Sequence, residues 1–207
     1  MKAEQERISI KNYLEFNNGL NISTSIYKNN FQRNWYKLQS VIDNSGNKFG
    51  ISSLFADDAT EAFSIVKGTI DSNDNSLIVR ANNRAYLSKG VQSVINKSFQ
   101  NNNTTHHLSL SARYHYDEMD RFQWEDKYQI LNGIMHLKKK GTPGSNSNRI
   151  QYSKALASYI SYKIEMAKLI LNLGLRHEHI KGHRDDYGKS DAERKGIDLS
   201  SRENIIN

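Results

Sequence analysis

Residues 8–26 read ISIKNYLEFNNGLNISTSI, and the fold follows from them. In the first half, Ile8, Ile10, Asn12, Leu14 and Phe16 fall on one side of an extended chain, with Ser9, Lys11, Tyr13 and Glu15 on the other. A hydropathy period of two residues is the strand signal. Asn18-Gly19 supplies the positive φ that a tight hairpin requires. Beyond it Leu20, Ile22, Thr24 and Ile26 resume the alternation against Asn21, Ser23, Ser25 and Tyr27. The result is a hairpin with one apolar face, which must be covered by something.

The same pattern recurs downstream. Val91, Ser93, Ile95, Lys97 and Phe99 share a side of a third strand, and Leu108, Leu110, Ala112, Tyr114 and Tyr116 a side of a fourth. Leu156, Ser158, Ile160, Tyr162 and Ile164 form the fifth, and Leu169, Leu171, Leu173 and Leu175 the sixth. The connections alternate in length. Asn17–Gly19, Asn101–Asn103 and Glu165–Lys168 are short turns, whereas Lys37–Arg84, Asp117–Arg149 and everything after Lys181 are long and polar. A soluble sandwich scatters its loop lengths over both ends, but an outer-membrane barrel keeps short turns on one rim and long loops on the other. One helix is expected inside the first long loop, with Asp58 and Glu61 at its start, Ala59, Ala62, Phe63 and Val66 on one face, and Gly68 at its end. The expected class is therefore all-β: an antiparallel up-and-down meander of about six strands, a partial transmembrane β-barrel with long extracellular loops and one short loop helix.

Composition narrows the alternatives. With 25% charged residues and a mean hydropathy of -0.74, no segment of this 207-residue chain can serve as a spanning helix, which needs about 20 apolar residues. A barrel survives that test, because lipid-facing and lumen-facing residues alternate. The lone proline and eleven tyrosines suit many strands with aromatic girdles. No cysteine is present, so disulfides and thiolate metal sites are excluded. The net charge of +7 is dispersed, with Lys138-Lys139-Lys140 as the only basic run, which reads as a solvated loop and not as a nucleic-acid site. Met1 to Glu6 lacks the apolar stretch of a secretory signal.

Several constellations invite chemistry. His177, His179 and His183, with Asp185 and Asp186 nearby, stand at alternate positions about 6.8 Å apart on a strand, and a zinc site on them would make the chain a metal-dependent hydrolase. Their spacing matches no sharp motif, and a polar ring continuing a leucine row also suits a membrane rim. Asp117, Glu118, Asp120, Glu125 and Asp126 suggest paired acids or a calcium loop, but interleaved Arg121 and Lys127 favour surface ion pairs. No nucleophile elbow, phosphate loop or dinucleotide fingerprint occurs. Trp35 and Tyr36 read as an interface girdle, and Trp124, in a loop beyond the rim, as a loop core or a ligand contact. A soluble all-β polysaccharide-binding module is the other alternative.

Three segments carry a family resemblance: Asn30–Leu38, Arg113–Asp126 with its Met119-Asp120-Arg121-Phe122-Gln123-Trp124 core, and Gly174–Glu178. They resemble the barrel of TonB-dependent outer-membrane receptors, nearest to the ferric-citrate-type siderophore receptors. The resemblance implies one partial receptor barrel domain over residues 1–207, with no plug domain and no signal peptide, ending at Asn207 within an extracellular loop. It implies uptake of a ferric siderophore at the outer membrane, without enzymatic chemistry and without a cofactor, the ferric chelate being the transported ligand. Outer-membrane lipid is the implied surrounding, TonB and a plug domain are partners in an intact receptor, and nucleic acid is not a partner. An anionic chelate calls for guanidinium groups, which pair bidentately with carboxylates. Arg113 and Arg176 have lumen parity, Arg33 and Arg121 lie near or beyond the rim, and with Trp124 they make up the expected ligand-binding set.

Overall fold

The computed structural model describes residues 2–198. Its strands are β1 (Lys2–Phe16), β2 (Leu20–Ile42), β3 (Lys48–Gly50), β4 (Leu77–Asn101), β5 (Thr104–Leu131), β6 (Ile134–Lys139), β7 (Ser147–Met166) and β8 (Leu169–Asp186), with one helix, α1 (Thr60–Lys67). The long strands pair antiparallel in the order β1-β2-β4-β5-β7-β8, while β3 adds to β2 and β6 to β5. The six-strand meander expected from the alternation is the fold found. Among the described residues no helix is long and apolar enough to cross a membrane.

Register turns the separate alternations into one continuous surface. Leu14 pairs with Ile22, Ile22 with Ile95, Ile95 with Leu110, Leu110 with Ile160 and Ile160 with Leu175. Four residues along, Ile10, Ile26, Val91, Tyr114, Leu156 and His179 form another row on the same face. The apolar band runs on β5 from the tip at Thr104 to Tyr114. Ten steps of about 3.4 Å, tilted by about 40°, give a height of roughly 26 Å, matching the apolar belt of a membrane barrel. This face is the more open one: Leu110, Ala112 and Tyr114 are exposed, whereas the alternating Ser111, Arg113 and His115 are half-buried. Leu173 at 57% and Leu175 at 71% exposure stand bare.

All three short turns lie at one end of the sheet. Gly19 has φ +78 and closes against the backbone of Ser98, where an added Cβ would collide with the carbonyl oxygen. The last turn is tighter than expected, with Ala167-Lys168 between β7 and β8. At the other end the strands greatly outrun their sequence signal. Residues 77–90, 117–131, 147–155 and 181–186 belong to strands, although they fall in the long loops expected from sequence or outside its strands. Beyond the apolar band most residues are polar, and apolar ones return only in consecutive runs such as Leu77-Ile78-Val79, so the hydropathy period vanishes while backbone pairing continues. β6 was also hidden inside an expected loop. It turns back through Asn132-Gly133, whose φ values of 52 and 73 suit the type I′ hairpin. The expectations for Asn207 lie outside the described residues.

The buried core sits at the loop end. Val41, Phe49, Leu54, Ala59, Ala62, Ile65, Leu77 and Ile130 pack together, joining α1 to β2, β3, β4 and β5. The helix begins later than expected. Asp58 lies in a 3-10 turn, Ala59 occupies the N-cap without a side-chain bond, and Gly68 in the left-handed conformation ends the helix as expected. Ile65, fully buried, carries the apolar face together with Ala62, while Val66 is only partly buried.

Candidate anion-binding row on the polar face

Far above the apolar band the same register brings four arginines into one line. Arg33 of β2 pairs with Arg84 of β4, Arg84 with Arg121 of β5, and Arg121 with Arg149 of β7. All four share the parity of the polar face, and neighbouring strands are about 4.8 Å apart, so the row spans roughly 14 Å. Like charges directly opposite one another destabilise a sheet. Beyond Arg149 the row ends on Asp186, whose carboxylate also accepts a 2.7 Å bond from Arg184.

The described partners of Arg33, Arg84 and Arg121 are neutral. Arg84 donates to Asn82 Oδ1 at 2.9 Å and to the Tyr86 hydroxyl at 3.3 Å, and Arg121 Nε lies 3.4 Å from the Met119 sulfur. The Arg33 guanidinium rests 5.7 Å from the Trp35 ring and 5.9 Å from Tyr86, and its Nε is buried without a hydrogen-bond partner among the described residues. The nearby acids are committed elsewhere. Asp120, next to Arg121 in sequence, points to the opposite face and is held by Arg194 at 2.8 Å, while Glu125 pairs with Arg80 at 2.6 Å. Burial, then the charges of Arg84 and Arg149, hold the Arg121 guanidinium below its ordinary pKa. Burial raises that of the Tyr86 phenol, but the Arg84 hydrogen bond and the Arg84 and Arg33 charges outweigh it and leave it lowered. In both shifts the neighbouring guanidinium charges act in the direction that a nearby anion would reverse.

The structure divides the ligand set expected from sequence. Arg33 and Arg121 come together, joined by Arg84 and Arg149, which the sequence reading missed. Arg113 does not join them: it lies eight residues down β5 from Arg121, about 27 Å, and donates to the Tyr27 hydroxyl at 3.0 and 3.2 Å. Tyr27 reaches there by crossing over Gly90, and its hydroxyl also meets His115 Nδ1 at 2.6 Å. Arg176 is exposed and ion-paired with Glu178 through a 3.1 Å bond from Nε. Trp124 is not in a loop; it lies within β5 on the face opposite Arg121, edge-on to Tyr36 at 6.4 Å. Trp35 and Tyr36 sit about 24 Å along β2 beyond Lys28, past the band, so the aromatics at its outer edge are Tyr114 and Tyr116.

Neither catalytic alternative gathers its residues. His177, His179 and His183 share one face of β8, but His183 bonds Asp185 at 2.9 Å, and among the described residues no three His, Cys, Asp or Glu side chains converge to hold a metal ion. Of the acids, Glu118 binds the Tyr116 hydroxyl and Asp126 accepts from the Gly141 amide at 2.7 Å, so they form no pair.

No family model matches the sequence. No curated protein matches it either. Among solved structures, the ferric citrate transporter FecA in its unliganded form matches with a TM-score of 0.60 at 12% identity, covering 89% of this chain and 22% of FecA. The chain thus spans about a fifth of the length of that transporter. The meander that the residue pattern and the register build is the fold of part of the FecA barrel.

Proposed function

We propose that this chain is a segment of the wall of an outer-membrane TonB-dependent receptor, with its apolar face against lipid and its polar face toward the lumen, and that it contributes to uptake of an anionic ferric chelate. The observation that carries this reading is the arginine row on the face opposite the apolar band. A membrane wall needs a bare apolar belt of about 25 Å on one side, and recognition of a carboxylate-rich chelate needs guanidinium forks on the other. The ligand belongs to the ferric citrate class, the class named for FecA. The role proposed is binding and passage, with no covalent step.

The absence of cysteine makes site-specific spin labelling direct. In the chain reconstituted into phosphatidylcholine vesicles, a label at Leu110 is expected to relax with dissolved oxygen, and one at Ser111 with a water-soluble nickel chelate. Ferric citrate titrated against the same sample should bind, and bind more weakly as salt is raised. Water-like relaxation at Leu110 would refute the wall.

A further inference from the structure

Immediately above the apolar band, on the same face, the register aligns Lys28, Lys89, Tyr116, Lys154 and Lys181 on five successive strands. All four lysines are exposed, and among the described residues none is in an ion pair. The Lys89 ammonium lies 5.0 Å from the Tyr116 ring, and the Lys154 ammonium 5.9 Å from Tyr152. The nearest acid on that face of β5, Glu118, is taken by the Tyr116 hydroxyl. Lys28 directly faces Lys89 and Lys154 directly faces Lys181, and like charges so placed repel; among the described residues no ion pair offsets them. Directly below runs a groove of about 330 Å³, made where the small side chains of Ser93, Ala112 and Ser158 interrupt the aliphatic rows of Leu110, Ile160 and Leu175. The groove lies four residues from the lysines, roughly 10 Å deeper along a tilted strand.

We propose that this row binds the phosphates of anionic lipids in the adjoining leaflet, with an acyl chain of the bound lipid lying in the groove below. The inference rests on the reading that the apolar face meets lipid. The occupant follows from charge complementarity at a fixed height: cations placed one row above an apolar belt meet headgroups, and lysine stems lie along apolar surface while their ammonium groups reach outward. The lysine row is a lipid contact on the outer face, separate from the arginine row on the inner one.

The test measures the association of spin-labelled phosphatidylglycerol, relative to phosphatidylcholine, with the vesicle-inserted chain. The unmodified chain is expected to prefer phosphatidylglycerol, and the preference should shrink as salt shortens the screening length. Replacing Lys28, Lys89, Lys154 and Lys181 by Gln should lower it by up to about fivefold per lysine. Arginine at the same four positions should preserve it, as should Gln at Lys48, Lys67, Lys139 and Lys140. An unchanged preference in the Gln variant overturns the lysine assignment while leaving the lipid-facing wall intact. Should that variant fail to insert, the unmodified chain decides, since a preference insensitive to salt overturns the assignment. Failure of the unmodified chain to enter any bilayer sinks the wall and the lysine row together.

Discussion

Replacing Arg121 by alanine should move anion affinity and stability in opposite directions. Arg121 stands between Arg84 and Arg149 in register. Guanidinium groups fanned from adjacent strands to roughly 7 Å repel by about 0.6 to 2.4 kcal/mol per neighbour for an effective dielectric between 80 and 20. Two neighbours act on Arg121, and screening in ordinary salt trims the sum. Its own described contact is a weak one to the Met119 sulfur at 3.4 Å, so little attraction is lost on truncation. Arg121→Ala should therefore leave thermal stability unchanged or raise it by about 1 kcal/mol at low salt, a gain that fades as salt is added. Affinity for ferric citrate should fall by about 1.5 to 3 kcal/mol, the worth of a charge-assisted hydrogen bond. Lysine at the same position should recover only part of that affinity, because an ammonium cannot reproduce the fork. Calorimetric titration with ferric citrate and thermal unfolding in the same detergent supply both numbers. A destabilised Arg121→Ala variant with unchanged anion affinity would show that the row is structural, and the reasoning from repulsion would fail.

Gly90→Val should displace Tyr27, since a Cβ at residue 90 would strike the Tyr27 hydroxyl and approach the Tyr114 carbonyl oxygen to 2.5 Å; a loss of about 1 to 3 kcal/mol is expected, visible as a lowered melting temperature and a changed His115 ring resonance, and full stability would contradict the crossing geometry. Ile65→Ala opens a cavity in the core beneath α1, where Ile65 is completely buried, and should cost about 2 to 5 kcal/mol; hydrogen exchange should quicken over residues 41–77 but not at the Asn18-Gly19 hairpin. The Asp191 carboxylate accepts the amides of Lys195 and Gly196 at 3.0 and 3.1 Å, bonds that hold its pKa below the ordinary value. Its charged form is the one the fold retains, so its contribution is whole above the usual carboxylate pKa of about 3.9 and disappears as pH falls through the lower folded value. Amide shifts at Lys195 and Gly196 should follow that acid transition and stay constant from pH 5 to 8.

Legibility in this sequence stops where the apolar band stops. Inside it, every second residue meets an apolar medium, so Leu108, Leu110 and Tyr114 announce their strand, and Asn18-Gly19 announces the turn. The loop helix was legible through Ala62 and Gly68, although its buried centre, Ile65, was not, because eight residues are too short to separate a helical stripe from a scatter of apolar residues. Beyond the band polar residues occupy both faces, and Arg84, Asp120 and Arg121 look like loop residues although the ladder runs through them. For the same reason Trp124, which lies within β5, reads as a loop residue in the sequence. One part of the arginine row was nonetheless available, since the turn at Asn102-Asn103 sets the β4–β5 register and the same register carried outward without a slip pairs Arg84 with Arg121. The other two could not be reached this way. Arg33 and Arg149 enter through pairings made across long connections, β2 with β4 and β5 with β7, whose register no local turn dictates. The lysine row has the same origin, for Lys28, Lys89, Lys154 and Lys181 are ordinary surface residues in sequence and become neighbours only when four strand pairings agree. In a meander of this kind, local alternation specifies which face a side chain occupies, and the long-range register specifies its neighbours along a row. Both charged rows depend on the second kind of information, so a one-residue slip in the β2–β4, β4–β5 or β5–β7 pairing would turn part of each row to the opposite face, and a slip between β7 and β8 would remove Lys181 from the lysine row.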